Sequence, residues 1–147
     1  MRMKTFKATA KKLKEGMQVE VEANGFKMLF DEPEQMGGTN KAVNPMSAAL
    51  SVMGACQTIV AFMFAKQKGI DLEDLFVEIE GDMDMQALIQ QNGNRTGFQE
   101  IRYKMHFKSS ASEEILQEFS DFIEKNCPVS DTFNQGANLV NEGIVKE

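Results

Sequence analysis

The sequence predicts an α+β fold in which two groups of antiparallel strands are separated by one long apolar helix. Alternating apolar and polar residues occur both before and after this helix, and the first group contains Asn24-Gly25, a strong hairpin signal. Residues 46–65 carry no charge, which favours a long buried helix. Apolar residues at helical spacing from Ile115 to Ile123 predict C-terminal helices. We therefore expect a single domain over residues 1–147.

The composition narrows the class of protein. The chain has 147 residues, of which 42% are hydrophobic and 26% charged, as in ordinary soluble domains. The net charge of −6 argues against nucleic acid or an anionic membrane as a partner, because no basic surface is available to release counterions. No apolar stretch follows Met1–Lys4, so we expect no signal peptide and a cytoplasmic location. Two cysteines in that reducing compartment favour a chemical role over a structural one.

The first strands are predicted at Thr5–Ala10, Met17–Ala23 and Phe26–Phe30, and residues 31–43 form a loop. A two-residue turn at Asn24-Gly25 places the apolar side chains of the last two strands on one face. Its register pairs Ala23 with Phe26, Val21 with Met28 and Val19 with Phe30.

The long helix is predicted from Asn44, a good N-cap followed by Pro45, to Gly69, which can take a left-handed stop. It is about 24 residues long and roughly 36 Å in length. Apolar or small side chains point in every direction, so we expect it to be buried on all sides. A membrane span would need a similar length, but several serine, threonine and glutamine side chains make the helix only mildly hydrophobic, which favours a core helix.

The second half begins with a strand at Leu75–Glu80 and continues with a loop or irregular helical turn at 84–96. A strand at Ile101–Lys108 has a basic outer face, which we place beside the acidic outer face of the strand at Leu75–Glu80. The lone histidine, His106, lies on that basic face and is predicted to be a surface residue.

The C-terminal region carries three further signals. A capping-box pattern over Ser110–Glu113 starts a helix that ends near Asn126, ahead of Pro128. A short helix over residues 129–135 follows, with Cys127 as its N-cap. The segment Ala137–Val145 is predicted as a closing strand.

The residues able to do chemistry reduce to two thiols, Cys56 and Cys127. The single histidine and the absence of a CxxC spacing argue against a metal site and against a catalytic triad, and we expect neither metal nor cofactor. A thiol reacts as thiolate, and a helix N-terminus or a nearby cation lowers its pKa. Cys127 has the helix N-terminus, whereas Cys56 needs a cation, for which Arg95 is the most available arginine. Alternatively, Arg95 is a solvated loop residue and Cys56 a small buried hydrophobe.

Four segments in order resemble the OsmC/Ohr family: N-P-M-x-x-A-L-x-x-M-G-A-C-Q (44–57), K-G-I-x-L-x-x-L-x-V-E-I-E-G-D-M-D (68–84), R-T-G-F-Q-E-I-R (95–102) and C-P-V-S-D-T-F (127–133). The resemblance implies thiol-dependent reduction of organic hydroperoxides. It also implies an intertwined homodimer in which sheets from both subunits wrap two long central helices.

By this resemblance Cys56 is the peroxidatic thiol and Cys127 the resolving thiol, and an external dithiol reduces their disulfide. We expect the apolar helix to shelter Cys56, and Cys127 at a helix terminus to move and close the bond. Many members of the family carry a glutamate directly after Asn-Pro that orients an active-site arginine of the first hairpin. This sequence has Met46 there and no arginine in that hairpin, which leaves Arg95 as the candidate.

The favoured hypothesis is two-cysteine reduction of organic hydroperoxides or hydrogen peroxide by a homodimer. An alternative is a catalytically weak dimer of the same fold that binds a small apolar ligand. A third is a structural role with inert, buried thiols. Peroxide-dependent loss of two thiols per chain would distinguish the first hypothesis from the other two.

Overall fold

The computed structural model of the chain describes all 147 residues and confirms the α+β class. It contains five strands and four α-helices. In chain order they are β1 (Ala8–Lys12), β2 (Val19–Ala23), β3 (Phe26–Phe30), α1 (Pro45–Phe64), β4 (Asp74–Met83), α2 (Met85–Gln90), β5 (Phe98–Lys108), α3 (Glu113–Asn126) and α4 (Pro128–Gln135). The chain divides into two compact units, residues 1–49 and 50–147, which are described separately.

The first unit is an antiparallel sheet in the order β1-β2-β3. The predicted hairpin register is confirmed, with Ala23 opposite Phe26 and Val19 opposite Phe30. Asn24 and Gly25 both have positive φ, as the two-residue hairpin turn requires. β1 begins at Ala8, later than the predicted Thr5–Ala10, because its register is set by pairing with β2 from Ala8↔Ala23 to Lys12↔Val19.

The loop after β3 is organised around the buried carboxylate of Asp31. It accepts hydrogen bonds from the N–H groups of Glu32 (2.8 Å) and Lys41 (3.1 Å), and from the hydroxyl of Thr39 (2.5 Å). These bonds, led by that of Thr39, lower the pKa of Asp31 to about 2. The loop also closes tightly at Gly38, where a Cβ atom would lie 1.8 Å from the carbonyl oxygen of Glu32. The loop is therefore a fixed structure.

The helix α1 starts as predicted, because the side chain of Asn44 accepts a hydrogen bond from the N–H of Ser47 at 2.8 Å. It ends at Phe64 and not near Gly69, although Gly69 does take the left-handed conformation that stops the following turns. The prediction that it is buried on all sides is wrong for the single chain.

Only one side of α1 is covered within the chain. Its buried residues are Met53, Gln57, Val60 and Ala61. Large apolar side chains on its other side are exposed, namely Val52, Ile59, Phe62 and Met63. By length and composition alone α1 could also cross a membrane, and 22% of its most apolar window is buried within the chain. A helix this apolar needs further cover, from protein or from lipid.

The second sheet pairs β4 with β5 in antiparallel register. The predicted charge pairing is confirmed, since Glu78 lies opposite Lys104 and Glu80 opposite Arg102. His106 lies on the same outer face, 2.6 Å from the carboxylate of Glu78, as expected of a surface residue. The region between the strands, predicted as a loop or irregular helical turn, contains the six-residue helix α2, capped by the side chain of Asp84.

Two predictions for the C-terminal region are wrong. Ser112 caps α3 in place of Ser110, whose N–H and hydroxyl are both bonded to the carboxylate of Asp71. The closing strand is not formed, because 137–145 finds no strand to pair with in the chain and its apolar side chains are exposed, Leu139 to 94% and Ile144 to 92%. The helix α4 begins at Pro128 with Cys127 as its N-cap, as predicted.

We expect the protein to lose folding stability in acid as the carboxylate of Asp31 is protonated. Its pKa of about 2 lies below the ordinary value of 3.8, so its stabilising contribution is complete above about pH 4 and is lost as the pH falls toward 2. Asp31→Asn should lower the Tm by several degrees at neutral pH and flatten the acid dependence of the Tm. Thermal denaturation between neutral pH and about pH 2 measures both effects.

The exposed Glu34→Gln, which removes the same charge from the same loop, is the control and should leave the Tm nearly unchanged. Parallel Tm curves for wild type and Asp31→Asn across the acid range would contradict the assignment.

Candidate functional site

The second unit brings the two cysteines together. Cys56 lies in the middle of α1, and Cys127 lies between α3 and α4. Cys56 packs against the core cluster that contains Cys127, together with Phe119 and Ile123. The two thiols are close enough for each to shift the pKa of the other. The sequence predicted that both residues carry the chemistry, and the fold places them in contact.

Cys127 is held at the beginning of α4 by its role as N-cap. Pro128 suits the first helical position, and the extended backbone of Cys127 lets its sulfur accept a hydrogen bond from the N–H of Ser130 at 3.4 Å. Burial acts to raise the pKa of Cys127. Hydrogen bonds from the Ser130 hydroxyl and N–H, from Cys56 and from the N–H of Val129 outweigh burial, and the pKa is lowered.

Cys56 shows the opposite shift. Burial raises its pKa, and the hydrogen bond it gives to Cys127 raises it further, while the N–H of Val129 acts in the other direction. The negative charge of the pair therefore lies on Cys127 when one of the two thiols is ionised. This agrees with the sequence argument that Cys127 has the helix N-terminus and Cys56 has no cation.

The burial of the two thiols is the reverse of what was expected. Cys127 has no exposed surface, whereas Cys56 is half-buried. Cys127 is covered because it joins the core cluster beneath α3. Cys56 is partly open because the outward side of α1 has no cover within the chain. The expectation that the apolar helix alone shelters Cys56 is therefore wrong for the single chain.

Two polar residues beside the thiols were missed by the sequence reasoning. Gln57 follows Cys56 and is completely buried, with its Nε2 atom 3.4 Å from the Oγ atom of Ser130. The Oε1 atom of Gln57 has no hydrogen-bond partner. A glutamine directly after the cysteine of an uncharged helix, and a serine three residues after an N-cap cysteine, were the available signals.

Arg95 is not brought to the thiols within the chain. It lies in the coil between α2 and β5, is exposed and forms no ion pair. Arg102 is held by the carboxylates of Glu80, Asp82 and Glu100. No arginine is among the groups that shift the pKa of either cysteine. The catalytic role of Arg95 stays a prediction.

Comparison with known proteins places these features in a family. Residues 38–141 match the family model of OsmC-like proteins. A protein named hydroperoxide reductase from Mycoplasma genitalium is 30% identical over 100 residues, which cover 68% of each chain.

Solved structures show the same fold. An OsmC-like protein from Mycoplasma pneumoniae has a TM-score of 0.79 and 26% identity, covering 89% of this chain and 88% of that chain. An organic hydroperoxide resistance protein from Legionella pneumophila has a TM-score of 0.66 at 19% identity, covering 92% and 93%. At this lower identity the second similarity concerns the fold alone.

We expect the two thiols to differ in reactivity toward a water-soluble alkylating reagent. Cys127 has the lower pKa, but its sulfur is out of reach of solvent. Cys56 should therefore be modified about tenfold faster than Cys127 in the native protein. Mass spectrometry of peptides after timed iodoacetamide treatment measures both rates. In denaturant the difference should disappear, and faster native alkylation of Cys127 would refute the prediction.

Proposed function

The chain belongs to the OsmC-like protein family, and we propose that it is a thiol-dependent reductase of hydroperoxides that uses Cys56 and Cys127. The observation that carries the proposal is the packing of two thiols that are far apart in sequence into one cluster, where Cys56 is partly exposed and Cys127 is enclosed. The name of the Mycoplasma genitalium relative, hydroperoxide reductase, supports it.

The first step uses Cys56, because it is the thiol that a peroxide can reach. As the peroxide approaches, the proton of Cys56 passes to the thiolate of the neighbouring Cys127. The Cys56 thiolate attacks the distal peroxide oxygen, so that an S–O bond forms and the O–O bond breaks. The proton now held by Cys127 neutralises the departing alkoxide, which leaves an alcohol and the sulfenic acid of Cys56.

The second step uses Cys127, which has become a thiolate again. It attacks the sulfur of Cys56, so that an S–S bond forms and the hydroxide of the sulfenic acid leaves as water after protonation. The hydrogen-bond donors at the beginning of α4 favour this thiolate by lowering the pKa of Cys127. An external dithiol then reduces the disulfide by thiol exchange, returning both thiols.

Organic hydroperoxides suit the surroundings of Cys56 better than hydrogen peroxide. Val52 lies one turn before Cys56 on the same side of α1, and its apolar side chain is exposed. An alkyl group beside the peroxide would contact this surface. Arg95, exposed and free of ion pairs, remains our proposed source of positive charge for Cys56.

We further propose that the working form is a homodimer in the cytoplasm, with α1 at or near the interface. The uncovered apolar side of α1 is the support for this proposal. A second copy covers that side without adding any new kind of partner.

The cysteine roles predict distinct variants. Cys56→Ser should abolish the consumption of cumene hydroperoxide, because no accessible thiolate remains. Cys127→Ser should still permit one turnover, at a lower rate because the thiolate that accepts the Cys56 proton is gone. It should leave a sulfenic acid that dimedone traps on Cys56, since no second thiol can close the disulfide. Peroxide consumption and mass spectrometry of the dimedone adduct measure these outcomes, with the wild type losing both free thiols per chain.

Some outcomes would contradict the proposed roles. If Cys127→Ser blocks the first oxidation and Cys56→Ser does not, the roles are reversed. If the wild type consumes peroxide no faster than free cysteine does, peroxide reduction is not the function. Saturable binding of a small apolar ligand by such an inactive protein would then favour the binding-protein alternative.

The dimer predicts a selective effect of charge on α1. Ile59→Glu should convert the dimer to a monomer that remains folded, because Ile59 is 60% exposed within the chain and packs only in the assembly. Light scattering at micromolar concentration, with circular dichroism for folding, measures this. Ile115→Glu, at a 48% exposed position on α3, is the matched control and should stay dimeric. A monomeric wild type would refute the assembly.

A further inference from the structure

Gln57 is an unusual residue to find inside this helix. Its side chain has no exposed surface, and its Oε1 atom has no hydrogen-bond partner. An unpaired buried acceptor destabilises a folded protein, because it has lost its hydrogen bonds to water and has formed none within the protein. Methionine has a similar length and no polar atom, so it would fill the same space without that penalty. The presence of glutamine therefore calls for a role other than packing.

The other end of the amide suggests that role. The Nε2 atom of Gln57 donates to the Oγ atom of Ser130 at 3.4 Å. This N–H group occupies one acceptor position of the Ser130 oxygen, and the Ser130 hydroxyl is among the groups that lower the pKa of Cys127. The N–H of Ser130 reaches the sulfur of Cys127 at 3.4 Å. Ser130 therefore lies between the buried amide of Gln57 on α1 and the thiol at the beginning of α4.

We propose that Gln57 is a positioning residue, which orients the hydroxyl of Ser130 as a hydrogen-bond donor to the sulfur of Cys127. Gln57 does not touch that sulfur in this scheme and acts only through Ser130. Because Ser130 can rotate its hydroxyl, the hydrogen is otherwise free to point toward any acceptor nearby. The amide N–H removes that freedom by occupying the acceptor side of the oxygen.

The other groups that face Cys127 cannot replace this contact. From α1, Cys56 lowers the pKa of Cys127 but must give up its proton during the proposed reaction. From β5, Tyr103 lies close enough to interact with the charge of Cys127, but its hydroxyl donates to Glu124 at 2.5 Å. From α4, the N–H of Val129 acts on both thiols. The Ser130 hydroxyl is the one side-chain donor that stays with Cys127 throughout.

The contact has a consequence for the reaction, which rests on the proposed function. A donor that stabilises the Cys127 thiolate keeps this thiol ready to attack the sulfenic acid of Cys56 at neutral pH. The physical proposal itself concerns the ionisation of Cys127 and can be tested without peroxide.

The test titrates Cys127 alone, in a Cys56→Ser background, by the ultraviolet absorbance of its thiolate as a function of pH. Gln57→Met should raise the pKa of Cys127 and reduce its thiolate fraction below the pKa by about threefold. Ser130→Ala, which removes the donor itself, should reduce it by about tenfold. Ser130→Thr keeps the hydroxyl and should restore the wild-type titration. In the Ser130→Ala background, Gln57→Met should have no further effect.

Stability separates positioning from packing. Gln57→Met should leave the Tm unchanged or raise it, because the unpaired acceptor is gone, whereas a structural requirement for the amide would lower it. Thr58→Val is the matched control, since the Thr58 hydroxyl bonds to the carbonyl of Gly54 and to neither thiol. It should leave the titration of Cys127 unchanged.

Two results would overturn the proposal. One is an unchanged titration in Gln57→Met, which would assign the donor to Ser130 without help from Gln57. The other is a Gln57→Met protein that is strongly destabilised or unfolded, which would make the amide a packing element. An inactive wild type with the expected shifts would instead refute peroxide reduction and leave the positioning role intact.

Discussion

The contact between the beginning of α4 and the middle of α1 is the interaction on which the site depends. It places the N-cap thiol of Cys127 against Cys56, within a core that also includes Phe119 and Ile123. Pro128 and the capping geometry fix where α4 begins. The free N–H groups of its first turn, those of Val129 and Ser130, are therefore directed toward the sulfurs. A displacement of α4 would separate the thiols and remove these donors together.

The same contact shifts the pKa values of the two thiols in opposite directions. Burial alone would raise the pKa of both, since an ionised sulfur loses its hydration. The donors at the beginning of α4 reverse that effect for Cys127 only, so the pKa of Cys127 is lowered while the pKa of Cys56 is raised. The thiol with the lowered pKa is thus enclosed, and the thiol with the raised pKa is the partly exposed one.

The outward side of α1 is an apolar surface that the second unit leaves uncovered. Side chains such as Ile59 and Met63 remain more than half exposed, although the helix has no charge to make that exposure favourable. Cys56 lies on this helix, so whatever covers α1 also decides how much of the Cys56 side chain stays exposed.

The sequence by itself determined the local features. Asn24-Gly25 specified the hairpin register, Asn44 and Pro128 the beginnings of two helices, and the outer charges of β4 and β5 their pairing. Each rests on residues adjacent in the chain or directly opposite in a strand pair, where spacing is a sufficient guide.

Only the tertiary structure decided which thiol is enclosed, that α1 is covered on one side, and that residues 137–145 form no strand. It also placed Gln57 against Ser130, a contact between residues 73 positions apart. Burial and strand pairing depend on what packs against a residue from elsewhere in the chain, and neither periodicity nor capping signals carry that information.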